Sequence, residues 1–410
     1  MHNHRPFDLV VFGATGFVGQ LVCQALVKQS QQESLQWAIA GRSASKLKAL
    51  AERLANECAH IPHIIADAHD EEALRCLCLQ TQAVISTVGP YALYGDGLVK
   101  VCVETGTHYC DLTGEPQWIR RMIDQYHTQA AHSGAYIVNC CGFDSIPSDL
   151  GVFYLQSQAQ ARWQQPCEHI KMRLVAAQGG VSGGTIASGI NLVKEATEDI
   201  HLRQALQSPY FLCPESEHGR IHPPTLVPVQ YDEDFQAWVT PFVMAEVNTR
   251  IVLRSNYLQG YAYGKAFRYE EGIVTQNGLI GWLTAQGIKI SLDGLVLAIA
   301  VPLLRSLLET TILPKPGEGP GAAEQMRGFY DLRMIGKTAD GHSLTVQVKG
   351  DRDPGYGSTS KLVAQAGICL VKELAVQSQP GGVWTPASLM GQPLLDRLQQ
   401  YAGVKFTVLE

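Results

Sequence analysis

The residues with the plainest chemical implication stand near the start of the chain. Gly13-Ala14-Thr15-Gly16-Phe17-Val18-Gly19 has the spacing G-x-x-G-x-x-G. A turn of this kind has no Cβ atoms where a pyrophosphate must approach the backbone, and a helix start offers unpaired N–H groups to the phosphate oxygens. A second segment, Ala40-Gly41-Arg42-Ser43-Ala44-Ser45-Lys46, contains no carboxylate that could bind a ribose 2′-hydroxyl. Arg42, Ser43 and Lys46 can instead surround a 2′-phosphate, so the expected cofactor is NADP(H). The alternative makes Arg42 and Lys46 ordinary solvated residues, but a cation at a helix start opposes the dipole. Asp67 is expected to face the adenine, and Thr87, Val88, Gly89 and Pro90 the nicotinamide ribose. Each of these could equally be a simple turn.

The elements that would position these residues follow from hydrophobic periodicity. Leu9–Phe12, Trp37–Ala40, His63–Ala66, Ala83–Val88, His108–Leu112 and Ala135–Cys140 read as short buried strands. Between them lie helical patterns. One carries Val18, Leu21, Val22, Ala25 and Leu26, and another Leu47, Leu50, Ala51, Leu54 and Ala55 behind a Ser43 or Ser45 cap. Asp70 could cap a third, Gly97–Thr105 ends at Gly106, and Pro116 opens a helix closed by Gly134. The alternation predicts an α/β fold with an N-terminal Rossmann, doubly wound parallel sheet.

From about Leu150 the rhythm changes. Ile170–Ala177, Phe242–Leu253, Tyr257–Tyr269, Gly328–Lys337 and Ser343–Lys349 read as strands, predicting a second α+β domain with a largely antiparallel sheet. A helix is expected around Gly189–Leu206, a loop at Leu313–Gly321, and further helices at Lys361–Val376 and Leu389–Gln400. Leu295–Leu304 is an uncharged run too short to span a bilayer, since spanning needs about 20 apolar residues. It is read as a buried or interface helix, with a lipid-touching interfacial helix as the alternative.

Composition narrows the class. The chain has 410 residues, with 46% hydrophobic and 17% charged residues, which excludes disorder and fibrous or disulfide-knot architectures. A formal net charge of −6 without a basic run argues against nucleic acid as a partner. Eleven cysteines, none in C-x-x-C spacing, suggest free thiols and no metal site. The glycine motif follows the first residues closely, leaving no room for a leader. A cytoplasmic location is expected, with peripheral membrane contact as an option.

Several longer motifs resemble the saccharopine dehydrogenase-like oxidoreductases, and more narrowly their trans-acting enoyl reductase branch. They are GATGFVG, AGRSASKL, STVGPYALYG, GTHYCDLTGE and CCGFDSIPSDLG, then GGVSGGT (179–185), YGKAFRYEE (263–271), LPKPGEGP (313–320) and GGVWTPASLMG (381–391). The resemblance implies an NADP-binding Rossmann domain over residues 1–150 and an α+β substrate or oligomerisation domain over 151–358. It also implies a C-terminal helical segment, 359–410, packing back on the first domain. The implied activity is NADPH-dependent reduction of an enoyl double bond on an acyl or polyketide-type lipid, carrier attachment of the substrate and homodimer formation being compatible with it. One alternative is a saccharopine-type dehydrogenase acting on an amino-acid imine, disfavoured because Arg173, Arg203, Arg220, Arg250, Arg254 and Arg268 are scattered. Another is a non-catalytic NADP-binding protein associated with lipid enzymes.

Enoyl reduction requires hydride delivery to a β carbon and stabilisation of the enolate that forms. Candidates at the carboxyl ends of the strands are Tyr91, Tyr94, Tyr109, Asp111, Thr113, Asp144 and Ser145, with Tyr94 and Asp144 placed nearest the chemistry and Tyr91 and Ser145 behind them. Each has a structural alternative. The tyrosines could pack over Pro90, Asp111 and Glu115 could cap a helix, and Asp144 and Ser145 could hold the turn before Pro147. Tyr261 and Lys265 form Y-x-x-x-K in a strand-like stretch, a spacing read as coincidence.

Overall fold

The computed structural model describes residues 5–55, 60–180, 183–220, 222, 225–301, 304–305, 319–374 and 379–409. Cys58 and most of the loop expected at Leu313–Gly321 lie outside the described residues. The strands are β1 (Phe7–Phe12), β2 (Trp37–Gly41), β3 (His63–Ile65), β4 (Thr81–Ser86), β5 (His108–Asp111) and β6 (Tyr136–Val138). They continue with β7 (Cys167–Gln178), β8 (Gln230–Asp232), β9 (Ala237–Pro241), β10 (Arg268–Val274), β11 (Phe329–Thr338) and β12 (Ser343–Gly350). β13 (Gly382–Trp384) and β14 (Val404–Leu409) belong to the tail.

The first sheet has seven parallel strands in the order β13-β6-β5-β4-β1-β2-β3. The chain winds outward from β1 in both directions, so the crevice between the carboxyl ends of β1 and β4 is the switch point where such sheets bind ligands. Its central strands are apolar on both faces, as a sheet covered by helices requires. Ser43 caps the helix Ala44–Leu54 by accepting from the Lys46 N–H, and Asp70 caps Glu71–Cys78 by accepting from the Ala73 N–H. Each cap satisfies one otherwise orphaned amide, worth about 1 kcal/mol.

The tail ties the two sheets together. Helix Thr359–Lys372 packs on β1, β4, β5 and the helix Phe17–Ser30, burying Leu362, Val363, Ala366 and Ile368. Burying each large side chain contributes roughly 1.5–3 kcal/mol. β13 then extends the first sheet beside β6, while β14 closes the edge of the second beside β12. Reading 359–410 as helical did not include these two strands, which are short and pair only at sheet edges.

The second sheet also has seven strands, in the order β14-β12-β11-β7-β10-β9-β8, antiparallel except where β7 meets β10. One face buries Met172, Met334, Val346 and Val348 against the helix Ile146–Trp163. Two expected strands are corrected. Phe242–Leu253 and the start of Tyr257–Tyr269 fall largely in a helix, Ala245–Leu258, and Tyr261 and Tyr263 lie in the turn that follows it. Val247 through Asn256 are buried without a break, so this helix shows no amphipathic period. The apolar run at Leu295 belongs to a longer helix, Gly278–Ala300, interrupted in sequence by Lys289 and Asp293.

Candidate active site

The glycine turn leaves β1 and enters the helix Phe17–Ser30. Gly13 adopts φ 84°, and its N–H donates to the Ala40 carbonyl at 3.0 Å. A Cβ on Gly13 would lie 2.6 Å from Val88 Cγ2 and 2.8 Å from Thr87 Oγ1, and one on Gly19 would collide with the Gly13 carbonyl oxygen. The turn therefore tolerates only glycine at both positions. The Thr87 hydroxyl stands 3.1 Å from the Phe12 carbonyl and 3.2 Å from that of Gly13. Thr87 and Val88 thus brace the glycine turn through their side chains. Ala14 is buried behind the turn, whereas Thr15, Gly16, Phe17 and Val18 line its outer side at the helix start. This cradle, with the helix amides behind it, fits a dinucleotide pyrophosphate.

Arg42 and Lys46 are exposed beyond β2 and make no ion pair among the described residues. Ser43 is occupied as a cap through its Oγ but remains partly exposed beside them. Two cations without acidic partners beside a glycine cradle are what a ribose 2′-phosphate requires. Asp67 closes a turn after β3, accepting from the His69 N–H at 3.0 Å.

The four candidates for chemistry separate. Tyr91 is buried, donating to the Ser86 carbonyl at 3.0 Å and accepting from the Leu112 N–H at 3.2 Å. Burial, followed by the Asp111 charge, holds its phenol well above the ordinary range. It joins the ends of β4 and β5, so its proton is committed to the backbone. Tyr94 is 38% exposed and meets the His69 ring edge-on at 5.6 Å between centroids. Together they line a hollow of about 250 Å³ beside the loop after β3. Ser145 is fully buried and donates to Asn248 Oδ1 at 2.9 Å. Only Asp144 presents a half-buried carboxyl without a hydrogen-bond partner among the described residues, with Oδ2 close to Gly114. Desolvation raises it to about 6.

Asp111 is a structural acceptor. It takes hydrogen bonds from Tyr109, Asn139 and the amides of Thr113 and Cys140, and burial still raises it to about 7. Tyr261 and Lys265 stack, ammonium over ring at 5.6 Å, in the second domain's turn region. No three His, Cys, Asp or Glu side chains gather for a metal among the described residues.

Sequence reasoning missed the side chains that roof this edge. The Phe17 ring meets Tyr356 edge-on at 5.0 Å, and the Tyr356 hydroxyl accepts from the Gly183 N–H at 3.1 Å. Gly183 opens the helix Gly183–Glu198, from which Ser188 donates to Glu115 Oε1 at 2.7 Å. Glu115 also accepts from the amides of Tyr91 and Ala92, at 2.7 and 3.0 Å. A chain of contacts thereby runs from the glycine turn through the second domain and back to the helix after β4. The glycines flanking residue 183 and the pair Asp353-Pro354 before Tyr356 were the only local signals. Deeper in the interface, Asn248 donates to Glu271, which also accepts from Tyr269; burial raises Glu271 to about 7.

Residues 9–138 match the saccharopine dehydrogenase NADP-binding domain. A protein of Mycobacterium tuberculosis named trans-acting enoyl reductase is 36% identical over 96% of this chain and 96% of its own length. Those of Mycobacterium bovis and Mycobacterium ulcerans are 36% and 34% identical, covering 96% and 97% of this chain and 96% of each relative. Apo saccharopine dehydrogenase (L-Glu forming) from Saccharomyces cerevisiae shares the fold, with a TM-score of 0.52 at 13% identity over 98% of this chain and 100% of that one. With the NADP cradle, the two-sheet architecture and these full-length relatives together, the chain belongs to the trans-acting enoyl reductase family of saccharopine dehydrogenase-like, NADP-dependent oxidoreductases.

Proposed function

We propose that the protein uses NADPH to reduce the C=C bond of an enoyl thioester on a long acyl or polyketide-type lipid chain made by another enzyme. The observation that carries this reading is the unpaired Asp144 carboxyl on the same sheet edge as the NADP cradle. The names of the relatives supply the reaction class. When bound, NADPH supplies the hydride that the β carbon must receive. The glycine turn holds the pyrophosphate, and Arg42 with Lys46 neutralises the 2′-phosphate. Asp144, held near 6, keeps a fraction of its carboxyl protonated around neutral pH and passes that proton from Oδ2 to the substrate as the enolate forms. The contacts of Phe17, Tyr356, Ser188 and Glu115 keep water from the edge where charge develops.

In this reading residues 1–150 bind the cofactor, 151–358 receive the acyl chain or a second subunit, and 359–410 lock the two together. A carrier-bound substrate, a homodimer and membrane contact in the cytoplasm are the partners and place consistent with such chemistry. An amino-acid imine substrate would need free guanidinium groups for its carboxylates. Of the six arginines named for it, Arg173 is paired with Asp232 and Glu270, Arg220 with Glu217, Arg250 with Glu246, and Arg254 with the Leu212 and Val383 carbonyls, which leaves Arg203 and Arg268 unpaired among the described residues. The test is NADPH oxidation with long-chain 2-enoyl thioesters, set against NADP-dependent turnover of saccharopine. Turnover of the enoyl series alone is expected; turnover of saccharopine alone overturns the proposal.

A further inference from the structure

The helix Gly278–Ala300 is an apolar element with little cover. Leu279, Ile280, Ile290 and Leu297 are 71%, 69%, 68% and 62% exposed, while Gly281, Ala285 and Ile299 are its buried residues. Exposed apolar residues scattered singly need no explanation, but a continuous apolar surface marks a partner. By length and composition the helix could cross a membrane. We propose that it is a monotopic anchor whose outer face inserts into one leaflet of a lipid bilayer.

Lipid, rather than a protein partner, is indicated by where its hydroxyls and charged groups point. Thr284 donates back to the Ile280 carbonyl at 2.9 Å, and Ser291 to the Gly287 carbonyl at 2.8 Å. The two ionisable residues of the helix, Lys289 and Asp293, stand one turn apart and pair with each other. A protein interface is oriented by polar groups aimed outward, whereas hydrocarbon penalises any polar group not satisfied within its own segment. Self-bonded hydroxyls and a self-neutralised ion pair suit the second environment.

The helix is nevertheless held back from crossing. Thr275 donates to the Gly281 carbonyl and Thr240, on β9, to the Ala285 carbonyl, each at 2.8 Å, so its first turns are fastened to the second sheet. Residues 286–300 then rise roughly 22 Å, at about 1.5 Å per residue, short of a hydrocarbon core of about 30 Å. The other side of the helix packs on Gly183–Glu198, the helix whose Gly183 and Ser188 belong to the roof of the site. Insertion therefore holds the site near the bilayer surface, but it does not depend on the enoyl reductase reading.

The test is flotation of the full-length protein with neutral phosphatidylcholine vesicles, at low salt and at about 0.5 M salt, where surface electrostatics are screened. The protein is expected to float at both. The double variant Ile290→Lys/Leu297→Lys should lose at least tenfold of the floating fraction while binding NADPH unchanged, which excludes misfolding. Wild-type protein that stays at the bottom overturns the proposal, as does flotation confined to anionic vesicles at low salt. A dimer that the double variant dissociates in sedimentation, without vesicle binding by the wild type, would instead make a second copy the occupant and also overturn it.

Discussion

The two sheets treat their charged side chains differently. In the second, buried Arg173 is closed against Asp232 and Glu270, and half-buried Lys171 against Asp232 and Asp234. At the carboxyl edge of the first, Arg42 and Asp144 have no partner among the described residues. Removing a charge from water is costly unless a counter-charge or hydrogen bonds offset it, so folds pair what they bury. A half-buried carboxyl without that offset, on the edge where Arg42 also stands exposed and unpaired, marks where something other than the protein completes the arrangement. They follow β2 and β6, four strand spacings apart, about 19 Å at roughly 4.8 Å each. A ligand reaching from one to the other must be extended, as a dinucleotide with a substrate beside it is.

The harshest way to break this contrast is to fill the cradle. Gly19→Val places a side chain against the Gly13 carbonyl, so NADPH affinity measured by calorimetry should fall by at least ~100-fold, about 2.7 kcal/mol. Retained affinity in a folded variant would mean that the turn is only structural. Next comes Asp144→Asn, which keeps the shape and removes the proton. Loss of a general acid typically costs about 100-fold or more in kcat. Because the free carboxyl is raised to about 6 and must be protonated to donate, kcat/KM of the wild type should fall as pH rises through that value. The variant should lose that limb. An unchanged profile would reassign Asp144 to structure.

Arg42→Ala sharpens the comparison rather than breaking it. A charge-assisted contact is worth about 1.5–3 kcal/mol, so the Kd for NADPH should rise roughly 10–150-fold while that for NADH barely moves. Equal losses would show that Arg42 does not read the 2′-phosphate. Tyr91→Phe is the control from the paired class. It removes the hydroxyl bonded to Ser86 and Leu112 and should cost about 1–3 kcal/mol in unfolding free energy, with kcat little changed in the folded fraction.

The parallel sheet was legible because its strands and helices alternate with clean periods and its turns carry Gly106, Gly134, Ser43 and Asp70 where the physics needs them. The cradle was legible for the same reason, since its requirement is local. Tyr91 and Tyr94 were not separable in sequence, because only the fold decides that one hydroxyl meets two backbone groups and the other faces His69. The helix Ala245–Leu258 was misread because burial on every side erases its period, and its Val, Ile, Thr and Tyr content favours strands. The helix Gly278–Ala300 was cut short at Asp293, whose pairing with Lys289 appears only in three dimensions. Glu115 and Ser188, 73 positions apart, could not be joined from sequence at all.

The smallest expected effect tests the cost of the paired class itself. Asp149 is buried in the interface between the helices Ile146–Trp163 and Ala245–Leu258, accepting from the Ser255 hydroxyl and the Ala387 N–H at 2.6 and 2.8 Å. Desolvation outweighs both hydrogen bonds and raises its carboxyl to about 7. A folded-state value above the unfolded one, about 3.9, means the stability this group contributes is present at low pH and lost as pH rises towards 7. An asparagine keeps an acceptor for the Ala387 amide and can donate to the Ser255 oxygen, and it does not titrate. The Tm of Asp149→Asn minus that of the wild type should therefore increase from pH 5 to pH 8, by a few degrees, and level off above. A difference that stays flat with pH would mean that Asp149 remains ionised throughout, and that its two donors fully offset its burial.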